Sequence, residues 1–131
     1  MRTLEITLNH LPPAELNPNN LRRTHWAVRY KASEEAKDEI GWMAKAGIRQ
    51  HCEKFGEDFK PMMRARISYE FHSKDHRRRD LDNLLSACKA YQDGLIEVGV
   101  LLYDDAAHLE IGSVRAVIDG CEKTIIRVEE L

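Results

Sequence analysis

The sequence predicts a single α+β domain: two helices against one face of a small mixed or antiparallel sheet, in the order β-α-β-α-β-β. Three observations carry this. Residues 33–55 and 83–98 repeat apolar side chains at helical spacing, and glycines, Gly56 and Gly99, lie beyond their ends. Apolar and polar residues alternate over 3–8, 63–71 and from 109 onward, the period of half-buried strands. The 131 residues contain no linker, repeat or low-complexity segment, so 1–131 is read as one domain, long enough to bury a core without staples.

In the first strand Leu4, Ile6 and Leu8 alternate with Thr3, Glu5 and Thr7. Pro12, Pro13, Asn17, Pro18, Asn19 and Asn20 then rule out helix or central strand. Residues 22–31 hold four cations, His25, Trp26 and Tyr30 but no acid. Two readings stand for this stretch: a surface loop with Trp26 folded onto the core, or an arm that grips phosphate while Trp26 or Tyr30 stacks on an unpaired base. Ser33 suits the N-cap of the first helix, followed by Glu34 and Glu35, with Ala36, Ile40, Ala44, Ile48, Cys52 and Phe55 as its apolar stripe. Trp42 and Met43 flank that stripe as core or subunit contacts, and His51 reads as a surface histidine.

In the second strand Met63, Ala65, Ile67, Tyr69 and Phe71 form the apolar face. A polar connection leads to the second helix, whose core face is Leu84, Leu85, Cys88, Tyr91 and Leu95. Beyond the apolar segment 100–103, Leu109 and Ile111 share one phase and Val114, Ala116 and Ile118 the other, which predicts a bulge at Gly112-Ser113. Asp119-Gly120 signals a two-residue hairpin, with Thr124, Ile126 and Val128 on the returning strand.

Composition narrows the function classes. Charged residues at 32% and hydrophobic ones at 43% describe an ordinary globular protein. No apolar run reaches the ~20 residues that span a bilayer and no signal-peptide pattern opens the chain, so a cytoplasmic protein without membrane contact is expected. Cys52, Cys88 and Cys121 lack C-x-x-C spacing, which points to buried thiols rather than disulfides or zinc. A net charge of -2 excludes coating of nucleic acid by bulk charge, so any such binding must be local.

The stretch 77–105 concentrates the chemistry. Three arginines, Arg77, Arg78 and Arg79, run directly into Asp80 and Asp82. On an extended segment these two carboxylates point to one side while Leu81 turns into the core, a pairing that suits a hard divalent cation such as Mg2+. Asp104 and Asp105 follow the second helix. Each acid has a plainer role available, Asp82 as a helix N-cap and Asp104 or Asp105 as turn residues. Acids gathered from separate elements repel one another unless a cation relieves them. The three arginines, with Arg22, Arg23, Arg29 and Lys74, would hold phosphates and so position a nucleic acid without reading its sequence.

These motifs carry a resemblance. N-P-N…T-H-W-A-V-R, R-R-R-D-L-D-N-L, K-A-Y-Q-D-G-L and Y-D-D-A, spread over most of the chain, resemble the RusA family of Holliday junction resolvases. The resemblance implies a magnesium-dependent homodimeric endodeoxyribonuclease that makes paired symmetric nicks in four-way junction DNA during recombination and repair. It also implies Asp80, Asp82 and Asp105 as metal ligands and a catalytic lysine early in the second helix. The family's lysine falls four residues after the second aspartate, where this chain has Ser86; Lys89, seven after, lies at a similar azimuth on a continuous helix. Two alternatives stay open: a non-catalytic junction-binding accessory protein, and a metal-dependent phosphohydrolase acting on other nucleic-acid structures.

Overall fold

A computed structural model describes residues 1–20, 25–77 and 79–131. Strands β1 (Thr3–Leu8), β2 (Ala65–Ser73), β3 (Leu109–Ile118) and β4 (Lys123–Glu130) form one mixed sheet in the order β1-β4-β2-β3. β4 is antiparallel to both neighbours, and β2 and β3 run parallel. The helices are α1 (Trp26–Phe55), α2 (Leu81–Ala87) and α3 (Lys89–Glu97). The architecture is α+β, as the sequence predicts. Among the described residues no helix is long and apolar enough to cross a membrane.

The alternating residues of the strands build the core. Leu4, Ile6 and Leu8 of β1, Ala65, Ile67, Tyr69 and Phe71 of β2, and Ile126 and Val128 of β4 are all buried. They meet Ala36, Ile40 and Ala44 of α1 and Tyr91 and Leu95 of α3 in one cluster. Each large apolar side chain so buried contributes about 1.5–3 kcal/mol. The Tyr69 hydroxyl accepts a hydrogen bond from Gln92 Nε2 at 2.9 Å. Gly94 lets α3 press on α1, since a Cβ there would stand 2.4 Å from Ile40 Cγ2 and 3.0 Å from the Lys37 carbonyl oxygen.

Two expectations about helices change. α1 begins at Trp26, not Ser33, with His25 as N-cap, its Nδ1 accepting from the Ala27 N–H at 3.1 Å. W-A-V-R-Y-K-A has no glycine or proline to stop a helix, so residues 26–31 wind into its first turns and Ser33 lies inside. Trp26 and Tyr30 are exposed there rather than folded onto the core. The second helix breaks at Cys88, which ends α2 and precedes α3. α2 lies against β3 while α3 packs on α1, and the break lets each follow its own surface.

The strands follow the predicted pattern more closely. The bulge stands where expected, because Ile67 pairs with Ile111 and Tyr69 with Val114, leaving Ser68 opposite Gly112 and Ser113. Met63 is exposed, and its neighbour Met62 enters the core instead through a bridge to Leu101. The hairpin does not form. β3 and β4 are separated by β2, and residues 119–122 cross the end of β2, where the Asp119 N–H bonds the Ser73 carbonyl at 3.2 Å. Of the thiols only Cys88 is buried, and Trp42 and Met43 are exposed. His51 packs against Phe55 and Phe59 rather than standing in solvent.

Candidate functional site

α2 starts where the polar connection from β2 meets the first apolar turn. Asp80 holds the N-cap position in extended conformation, and its carbonyl accepts the first helical bond, from the Leu84 N–H at 3.1 Å. Its carboxylate does not cap the helix; Oδ2 accepts from Asn83 Nδ2 at 3.4 Å. It lines a cavity of about 550 Å³ with Arg79, Asn83, Leu84, Glu122 and the segment from His10 to Asn19. Asp82 lies in the first turn of α2, where its charge favours the positive helix end, and is exposed. Leu81 is 40% exposed instead of turning into the core. Since Asp82 is already helical, the extended i, i+2 geometry expected for Asp80 and Asp82 does not hold across this pair.

The Arg79 guanidinium is placed by a carboxylate that sequence reading passed over. Asp75 Oδ1 accepts from the Arg77 N–H at 3.0 Å and from Arg79 Nη1 at 3.1 Å. These bonds, the Arg77 N–H first, hold the Asp75 carboxyl below its ordinary value. The two-residue step from Asp75 to Arg77 is an Asx-turn spacing, a signal that was present in the sequence. The Arg77 side chain is exposed, and Lys74 lies 3.7 Å from Glu122. Arg29 rides on the first turn of α1, its buried Nε without a hydrogen-bond partner among the described residues. Arg22, Arg23 and Arg78 lie outside the described residues.

Lys89 opens α3, so with Cys88 breaking the helix it shares no continuous face with Ser86, whose hydroxyl donates to the Asp82 carbonyl at 2.8 Å. The Lys89 ammonium bonds Asp93 at 2.8 Å and also Asp104, and these carboxylates, Asp104 first, raise its pKa. Asp93 was visible as the i+4 partner of Lys89, but nothing local announced Asp104. Asp105 turns the other way. Its Oδ1 accepts from the Ala107 N–H at 3.0 Å and stands 2.6 Å from His108 Nδ1, and His108 is the main cause of its lowered pKa.

The register separates the acids. Leu109 pairs with Ala65 at the start of β2, whereas α2 follows the end of β2, so Asp105 and Asp80 adjoin opposite ends of the β2–β3 pair. The structure joins Lys89 to Asp104, and it does not gather Asp80, Asp82 and Asp105. Among the described residues no three of His, Cys, Asp and Glu are grouped to hold a metal ion. The donor chemistry at the start of α2 nonetheless fits a hard cation, since Asp82 is exposed and no hydrogen bond or ion pair to its carboxylate is found among the described residues, while Asp80 keeps its carboxylate off the helix end. Away from these residues, His72 is buried between Glu70 and Asp119, each 2.6 Å away. No protein-family model and no curated protein matches the chain.

Proposed function

We propose that this chain is a magnesium-dependent, structure-selective endodeoxyribonuclease that resolves four-way DNA junctions as a homodimer, similar to the RusA family. The observation that supports this best is the start of α2, where Asp80 and Asp82 directly follow Arg77 and Arg79 in the chain and Lys89 opens the next helix. Asp80 and Asp82 would hold the metal, with Asp105 as the further ligand that the resemblance implies. Magnesium, when held there, would supply positive charge to the phosphoryl oxygens and make water a better nucleophile.

The remaining work falls to the chain's own groups. Arg79, fixed on Asp75, and the exposed Arg77 bind phosphates flanking the cut. Lys89, carried by Asp93 and Asp104, stabilises charge developing on the scissile phosphate. A homodimer matches the near two-fold symmetry of a junction and allows paired cuts.

The test compares nicking of a synthetic four-way junction with linear duplex, with and without magnesium. Nicks are expected only on the junction with magnesium present, and Asp82→Asn should abolish them while leaving junction binding intact, because the amide keeps the shape and loses the charge. Undiminished nicking by Asp82→Asn overturns the assignment. The engagement of Asp105 in its own turn favours a second reading, a non-catalytic junction-binding accessory protein, which predicts binding indifferent to magnesium and no nicks. Nicking without four-way preference would instead indicate a phosphohydrolase acting on other nucleic-acid structures.

A further inference from the structure

α1 buries Ala36, Ile40 and Ala44 on one side, and its outward side carries a second, regular stripe. Lys31, Glu35, Asp38, Trp42, Lys45, Arg49 and Glu53 follow one another in steps of four and three, the spacing that keeps side chains on one face, and all seven are exposed. Trp42 stands at the centre and is 75% exposed, directly away from the core that buries Ile40 and Ala44. Among the described residues the one ring contact of this mid-helix tryptophan is Lys45 at 5.5 Å, so most of its apolar surface stays in water.

The charges along this stripe are ordered. From the amino end they run plus, minus, minus, then Trp42, then plus, plus, minus. Turning a second copy about a two-fold axis through Trp42 sets Glu35 against Arg49, Lys31 against Glu53, and Asp38 beside Lys45, and each contact occurs twice. A parallel pairing would set every charge against its own kind. Among the described residues the one ion pair within this stripe is Lys31 with Glu35, at 4.0 Å and well exposed, a contact of little worth. Among the described residues no side-chain hydrogen bond or ion pair holds Asp38, Arg49 or Glu53. Beside Trp42 a groove of about 250 Å³ opens between α1 and α3, lined by Gly41, Gly94, Glu97 and Val98 among others, and a Cβ at Gly41 would meet nothing within 4 Å. Such a groove next to a protruding indole gives a knob and a hole on the same face.

We propose that α1 docks antiparallel on α1 of a second copy of this chain, with the two Trp42 side chains at the two-fold axis. This names the contact surface for the homodimer of the proposed function, yet the argument uses neither DNA nor the carboxylates of α2.

The experiment is analytical ultracentrifugation of the full chain without DNA. The parent should associate to a dimer with concentration, and less strongly at high salt, since the paired charges are screened. Glu35→Arg with Asp38→Arg should give a monomer, as should Lys45→Glu with Arg49→Glu. An equimolar mixture of the two should form a heterodimer, because each now complements only the other. Trp42→Ala should weaken the parent dimer at least ~10-fold, the behaviour of a central aromatic contact. It also keeps the test available if a charge-reversed variant fails to fold, as judged by circular dichroism. A parent that stays monomeric at its highest soluble concentration, or a dimer that survives both charge reversals or Trp42→Ala, overturns the proposal. Loss of nicking with an intact dimer would count against the nuclease reading alone.

Discussion

Lys89 holds two carboxylates at once, Asp93 on its own helix and Asp104 on the segment that leads into β3. Those partners favour the charged form and fix where the charge sits, which is what a group stabilising a transition state needs. Lys89→Ala should therefore slow junction cleavage ~100-fold or more at saturating protein, with affinity for the junction little changed. A rate within a few-fold of the parent would mark Lys89 as an exposed ion pair worth ~0.2–1 kcal/mol. The lysine and its i+4 aspartate were legible because they lie on one helical turn. Asp104 and Asp105 were not distinguishable, since which of two adjacent acids faces a distant lysine depends on how the segment before β3 is held, here by the His108 contact to Asp105.

The elements owe their positions to a few close approaches. α1 and α3 meet at Gly94, where the Ile40 side chain and the Lys37 backbone occupy the space a Cβ would need. Gly94→Ala should destabilise the fold by ~1–3 kcal/mol through overpacking, despite alanine's better helix propensity, and the denaturant midpoint would show it. An unchanged or higher midpoint would mean that the two helices separate at no cost. The break at Cys88 belongs to the same scale. Periodicity across 83–98 reads as one helix because Leu84, Leu85, Cys88, Tyr91 and Leu95 keep helical spacing through the break, and only the divergence of α2 toward β3 from α3 toward α1 makes it visible.

At the scale of the molecule, His10 ties three elements together. It follows β1, its Nε2 lies 2.7 Å from Glu39 on α1, and its carbonyl accepts from the Thr124 hydroxyl of β4 at 2.8 Å. Burial works against its charge, but the Leu11 carbonyl and the Glu39 carboxylate outweigh burial and raise its pKa above the ordinary 6.5. A raised folded-state pKa means stability that is complete below 6.5 and lost as pH rises through the higher folded value. Thermal midpoints should therefore fall between pH 6 and pH 8 more for the parent than for His10→Gln, by an amount at the scale of an exposed ion pair, ~0.2–1 kcal/mol. Equal slopes for the two proteins would remove His10 from the pH dependence.

Local pattern alone determined the α+β class, the faces of β1, β2 and β4, the stop of α1 at Gly56 and the bulge at Gly112-Ser113, because each depends only on side-chain period or backbone freedom within a few residues. Tertiary structure decided the rest. Asp119-Gly120 reverses the chain, but β2 is the pairing partner of both β3 and β4, so the turn spans a strand instead of joining a hairpin. The acids of the candidate site likewise lie within one short stretch of sequence, while the parallel β2–β3 register places Asp80 and Asp105 toward opposite strand ends and Asp104 meets Lys89 of α3. Strand order and register arise from long-range pairing between separate elements, and no local run of residues encodes them.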